Sequence, residues 1–152
     1  DLPMAVLAFE DDAAIIRKIA ELPLPEEYRG AQRLFASVAQ HPSFPDASMY
    51  VVEEGKLRCT LFLGDMRLTL PLLDDGLVDA VFFDPFSPKA HPHLWTAEVF
   101  AVLVSKMKCG ASLTTYSCAR MVRDNMRAAG LLVQDGPIVG RRSPSTIARK
   151  PR

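Results

Sequence analysis

The sequence predicts an α/β fold built on a sheet of mixed strand direction, and three observations carry that prediction. Apolar runs of strand length alternate with stretches of helical period, several of those runs end on an acid, and the chain closes on two strand-like segments joined by a turn. At 152 residues with 49% apolar content, the chain is sized for one domain, residues 1–152, with its own core.

Taken in order, Met4 to Phe9 is apolar throughout and ends at Glu10-Asp11-Asp12, which predicts a buried parallel-type strand with acids at its C-terminal edge. Ala13 to Leu22 places Ile15, Ile16 and Ile19 on one side of a helix that stops before Pro23. Residues 23–48 are proline-rich, with a helix expected near Gly30 to Gln40. Because Tyr28, Leu34, Phe35 and Val38 continue through them, they read as an elaborated connection rather than a linker.

Met49 to Glu53 and Lys56 to Leu63 read as strands around a hairpin turn at Glu54-Gly55. The second runs into Leu63-Gly64-Asp65, and Met66 to Leu73 reads as a short helix in spite of Pro71. Val78 to Phe83 is a further buried strand, followed by DPFSPKAHPHLW at 84–95, where prolines 85, 88 and 92 forbid a helix. Thr96 can cap a helix from Ala97 to Met107, with Val99, Val102 and Leu103 facing inward and Gly110 as the stop. Ala111 to Tyr116 reads as a strand, and Ser117 as the cap of a helix from Cys118 to Ala129 that ends at Gly130. Leu131 to Val139 and Ser145 to Lys150 form the closing hairpin around Gly140-Arg141-Arg142-Ser143-Pro144.

Composition narrows the function classes. No apolar run approaches the roughly 20 residues of a membrane span and no signal peptide opens the sequence, so a cytoplasmic protein is expected. Cys59, Cys109 and Cys118 lack zinc or disulfide spacing and read as buried reduced thiols. The formal net charge of zero hides an asymmetry: residues 1–118 carry 10 Lys/Arg against 16 Asp/Glu, and residues 119–152 carry 8 against 2. A basic C-terminal face suits phosphates, although such clusters are commonly plain solvated surface.

Ligands of such sheets bind beyond the C-terminal ends of parallel strands, where Glu10, Asp65 and Asp84 are delivered. An acid after the first strand can accept both hydroxyls of a ribose, and one after the next can accept from an adenine amino group. For Asp84, on a proline-stiffened loop, three jobs stay open: structural cap, phosphorylation site or catalytic group. His91 and His93 flank Pro92 without a third ligand nearby and read as loop surface, so no metal is expected.

Glu10 after its strand, LGD at 63–65, DAVFFDPFSPKAHPHLWT at 79–96, ASLTTYSCARMVRDNMRAAG at 111–130 and the closing GRRSPSTIARK together resemble the MnmC-like bacterial tRNA methyltransferases. The likeness is to members without a fused flavin oxidase domain, and it runs from about Met4 to Lys150. It implies a class I, Rossmann-like methyltransferase fold. It also implies S-adenosyl-L-methionine as cofactor and methylation of the amino group of 5-aminomethyl(2-thio)uridine at the tRNA wobble position. By position, Glu10 would bind the cofactor ribose and Asp65 with Met66 the adenine side, with Asp11 and Gly64 beside them. Asp84 would hold the amine, Pro85 and Phe86 would wall the base, and Tyr116 would line the pocket. Trp95 reads as an anchor for the following helix, while Lys89, Arg141 and Arg142 would meet anticodon-loop phosphates. The partners implied are tRNA and a separate flavin-dependent enzyme acting earlier in the modification.

The glycine-rich turn and first strand of that fold should precede Met4, so the resemblance implies a piece of a longer protein or a degenerate remnant. Two related readings stand beside it: methylation of another exocyclic amine, and a non-catalytic RNA-binding module. A phosphoacceptor receiver domain, suggested by Asp11-Asp12, Asp84, Thr115 and Lys150-Pro151, fails on the long insertion between Asp12 and Lys56.

Overall fold

Two apolar runs that end beside acids pair in parallel. Strand β1 (Met4–Glu10) lies against β3 (Leu57–Leu63) in a register that sets Met4 opposite Leu57 and Glu10 opposite Leu63. The computed structural model describes residues 4–138, 140 and 142–152. The chain divides into two compact units, Asp1–Thr69 and Leu70–Arg152.

In the first unit, β2 (Met49–Glu54) joins the other side of β3 antiparallel, giving the order β1-β3-β2. The expected hairpin turn is there, with Gly55 at φ 60°, a left-handed conformation that costs glycine nothing. Helix α1 (Ala13–Glu21) starts on Asp12, whose side chain accepts from the N–H of Ala14 at 2.8 Å. Its last carbonyls would be orphaned, but Gln32 of α2 (Arg29–Ala39) reaches across to those of Ile19 and Ala20. Ile16, Val38, Tyr50 and Leu61 form the core of this unit, with Phe35, Phe44 and Val52 packed on it. The expectation that β1 is buried fails. Met4 is 57% exposed because β1 is an edge strand, paired only to β3 among the described residues. A short helix, α3 (Met66–Thr69), follows β3.

The second unit begins with a 3₁₀ turn at Leu70–Leu72 that holds Pro71 where no helix hydrogen bond is lost. Its sheet has the order β4-β5-β7-β6: β4 (Val78–Phe82) and β5 (Met107–Thr115) are parallel, and β7 (Thr146–Arg149) runs antiparallel between β5 and β6 (Leu132–Asp135). The closing hairpin thus inserts its last strand into the sheet, and its strands are shorter than the sequence suggests. Strand β4 is also an edge among the described residues, and Phe82 is 84% exposed where a buried strand was expected. Thr96 caps helix α4 (Ala97–Lys106), accepting from the N–H of Val99, and Phe100, Leu103 and Lys106 are its buried residues.

Three further expectations need correction. Gly110 does not stop α4; it lies inside β5 at φ 82°, where the pairing with β4 slips between Val78 and Ala80. The helix ends instead at Lys106, and the Lys150 ammonium donates to the terminal carbonyls of Val104 and Met107, both at 2.8 Å. Ser117 is not the cap of helix α5 (Arg120–Ala128), whose N-cap is Ala119. The Ser117 hydroxyl only accepts a 3.4 Å bond from the Ala119 N–H, because the chain stays extended through Ala119. Cys59 is buried, but Cys109 and Cys118 are exposed. Gly130 does end α5: its N–H returns to Arg127 and that of Leu131 to Met126, the paired bonds of a Schellman turn.

Candidate cofactor and amine sites

In the first unit, the parallel register brings the C-terminal ends of β1 and β3 side by side, and the N–H of Gly64 donates to the Glu10 carbonyl at 2.8 Å. Gly64 has φ 126°, a conformation that a side chain would strain, so the sharp exit from β3 depends on glycine. Glu10, Asp11, Gly64, Asp65 and Met66 therefore meet at one end of this sheet. The acids of the run Glu10-Asp11-Asp12 have different work. Glu10 Oε1 accepts from the N–H groups of Asp11 (2.9 Å) and Asp12 (3.0 Å), while Asp12 caps α1. Burial pushes the Glu10 carboxyl above its ordinary value, against the pull of those two N–H bonds. A carboxylate so held, and so short of water, gains from hydroxyl donors, which fits a vicinal diol such as ribose.

Asp65 is gripped by a residue that the sequence reading missed. Its Oδ1 accepts from the Arg67 N–H at 2.9 Å, and the Arg67 guanidinium meets both oxygens, the Nη2 bond to Oδ2 being 2.6 Å. The Asp-x-Arg spacing at the start of a helix was the available signal. Any amino group approaching Asp65 shares it with this cation.

In the second unit, the strand exits of β4 and β5 clamp each other. Phe83 continues the ladder to the Thr114 carbonyl, and Asp84 then turns its Oδ1 to accept from the N–H of Tyr116 at 2.9 Å. The Tyr116 hydroxyl returns to the Pro85 carbonyl at 3.0 Å, and burial, followed by the nearby Asp84 charge, raises its pKa. Asp84 is exposed, and its Oδ2 takes no hydrogen bond from the described residues.

The loop beyond Asp84 is fixed from beneath. Trp95 is fully buried and donates through Nε1 to the Phe86 carbonyl at 2.9 Å, and Asn125 of α5 donates to the Trp95 carbonyl at 2.7 Å. Trp95 is thus an anchor through its bonds to the loop and to α5, where an anchor for the following helix was expected, and a ring with no exposed surface has none to offer a base. Pro85 is half-buried, while Phe86, Lys89 and Arg142 are exposed. The pairing of Thr115 with Thr146 brings the β6–β7 loop, and Arg142 with it, to the same end of the sheet as Asp84 and Tyr116. Arg141 lies outside the described residues.

Sequence reasoning also missed a buried network under Tyr116. Thr146 is fully buried and donates to the Ser117 carbonyl at 2.7 Å, while it accepts from Arg123 Nε at 2.9 Å. Arg123 also pairs with Asp135 at 2.7 Å. No local pattern could have shown a link across 29 residues. Lys150, which the receiver reading needed at an active site, is spent on the end of α4. Among the described residues no cluster of three or more His, Cys, Asp or Glu could hold a metal ion, and no helix is long and apolar enough to cross a membrane.

Residues 28–151 match the family described as S-adenosyl-L-methionine-dependent methyltransferase. The chain is 38% identical over 107 residues to the tRNA 5-methylaminomethyl-2-thiouridine biosynthesis bifunctional protein MnmC of Ralstonia nicotianae, covering 70% of this chain and 16% of that protein. It is 35% identical over 117 residues to the protein of the same name from Pseudomonas savastanoi, covering 76% and 17%. The chain thus spans about a sixth of the length of these relatives. In fold it is similar to MNMC2 from Aquifex aeolicus, with a TM-score of 0.71 and 24% identity over 97% of this chain and 45% of that one.

Proposed function

Because this chain belongs to the S-adenosyl-L-methionine-dependent methyltransferases, we propose that it methylates the primary amine of 5-aminomethyl(2-thio)uridine at the wobble position of tRNA. The observation that carries this reading is the Asp84 carboxylate, held through Oδ1 by the Tyr116 N–H on an exposed residue. The names of the relatives supply the nucleoside.

The cofactor, when bound, supplies an electrophilic methyl carbon on a sulfonium sulfur. A primary amine attacks such a carbon only when neutral and aligned with the bond that breaks. Asp84 Oδ2 accepts one amine N–H, turning the lone pair toward the methyl group. As nitrogen gains its fourth bond, Asp84 stabilises the growing positive charge, takes the proton released and passes it to water. The Tyr116 N–H keeps the carboxylate from rotating away. In the first unit, Glu10 would accept the ribose hydroxyls and Asp65 would receive the adenine side, with Asp11, Gly64 and Met66 around them.

Pro85 and Phe86 would wall the base, and Lys89, Arg141 and Arg142 would meet anticodon-loop phosphates. Such a substrate places the enzyme in the cytoplasm, after an enzyme that exposes the primary amine; a flavin-dependent oxidase is the reading for that step. The test is methyl transfer from labelled cofactor to tRNA that carries 5-aminomethyluridine, with nucleoside mass spectrometry of the product. A gain of one methyl on that nucleoside is expected, and methylation of a different nucleoside, or of none, overturns the reading.

A further inference from the structure

Phe86, His91 and His93 form a run of contacting rings on the loop beyond Asp84. Phe86 and His91 are stacked, with centroids 5.1 Å apart and planes at 30°, and His91 meets His93 at 5.5 Å and 47°. The rings do not make the core, since Phe86 is 58% exposed and the 3₁₀ turn Pro92–Leu94, which carries His93, buries none of its residues. Their places are set by other bonds. Trp95 holds the Phe86 carbonyl, and the Ser87 carbonyl accepts from the N–H groups of Ala90 and His91, both at 2.9 Å. The loop is therefore shaped without the ring stack, and the stack is left as a preorganised surface.

We propose that His91 and His93, with Phe86 stacked against His91, are a stacking platform for an unpaired nucleobase of RNA, next to the nucleotide whose amine Asp84 receives. The proposal rests on the tRNA reading above for its partner, but it assigns a second base rather than the one modified. Phe86 and His93 are exposed and His91 is partly so, and flat rings can take any base, because every base has a π-face. Charge agrees: Lys89 lies exposed within the same loop, where it can meet the phosphate between the two nucleotides. Imidazoles suit a wet surface better than further phenyl rings would, since their ring nitrogens stay hydrated while their faces stack.

The test uses the full chain and a short single-stranded oligoribonucleotide carrying 2-aminopurine, with no cofactor added. Stacking should quench the 2-aminopurine fluorescence on binding, and an abasic site at that position should weaken binding about tenfold. His91→Ala should abolish the quench and lower affinity for the intact oligonucleotide to that of the abasic one, whereas His91→Phe should restore both. His93→Ala, at an exposed position, should give a smaller loss with the fold intact by circular dichroism. Equal affinity for intact and abasic oligonucleotides, or unaltered quenching in His91→Ala, overturns the platform. A chain that quenches but never methylates aminomethyluridine would overturn the proposed reaction alone, and one that methylates without quenching would overturn the platform alone.

Discussion

The N–H of Tyr116 donates to Asp84 Oδ1 at 2.9 Å, so the residue after β5 fixes the carboxylate after β4. The two residues stand 32 positions apart in sequence and meet because β4 and β5 are parallel neighbours. The Tyr116 hydroxyl closes the second half of the clamp on the Pro85 carbonyl. Tyr116→Phe removes only that second bond. It should cost about 0.5–1.5 kcal/mol of stability, the usual worth of a neutral hydrogen bond. The turnover rate should fall several-fold with cofactor affinity unaltered, as compared by urea unfolding and single-turnover methyl transfer.

Glu10 carries a pH signature. Burial raises its folded-state pKa above the ordinary 4.5, so the folded state holds that proton more tightly than the unfolded chain does. The associated stability is present in full below pH 4.5 and is lost as pH rises through the higher folded value. Glu10→Gln cannot ionise and should therefore gain stability relative to the parent between pH 4 and pH 7 in paired urea titrations. If Glu10 accepts the ribose hydroxyls as proposed, the same variant should also bind S-adenosyl-L-methionine about tenfold more weakly by calorimetry, since charged hydrogen bonds would be lost. A relative loss of stability over that pH range would contradict the burial argument.

Trp95 separates an anchor from a base-stacking residue. Trp95→Ala should cost about 3–5 kcal/mol in chemical unfolding, as expected for emptying a fully buried indole site. A fully stable variant with lost RNA binding would mean that the ring faces the substrate.

Thr146 tests the buried network behind Tyr116. Thr146→Val keeps the volume but strands the Ser117 carbonyl and the Arg123 Nε–H, and should destabilise by about 1–3 kcal/mol in urea unfolding. Arg123→Lys should recover little, because one ammonium cannot reach Thr146, Ser145 and Asp135 as the guanidinium does.

The local elements were legible because their signals are local. Apolar period, the Glu54-Gly55 turn, the cap at Thr96 and the glycine at 130 each act within a few residues. Burial was misjudged at Met4 and Phe82, since an apolar run looks the same whether a strand has neighbours on one side or two. Gly110 misled for a similar reason: left-handed glycine serves a strand irregularity as well as a helix end. Within their own units, Glu10, Asp65 and Asp84 do stand after strands, as their places in the sequence suggested. What holds them could not be read, because the Tyr116 N–H and the Thr146 hydroxyl arrive through sheet pairing and Arg67 needed a known helix start.

The central claim is that Asp84 orients and deprotonates the amine. Asp84→Asn keeps the shape and the bond from the Tyr116 N–H but replaces the proton-accepting oxygen. Its transfer to tRNA carrying 5-aminomethyluridine should fall by about 10²–10⁴-fold in single-turnover assays, the usual contribution of a positioned acid–base group, while S-adenosyl-L-methionine binding by calorimetry stays at the parent value. Transfer at the parent rate in Asp84→Asn would contradict the account.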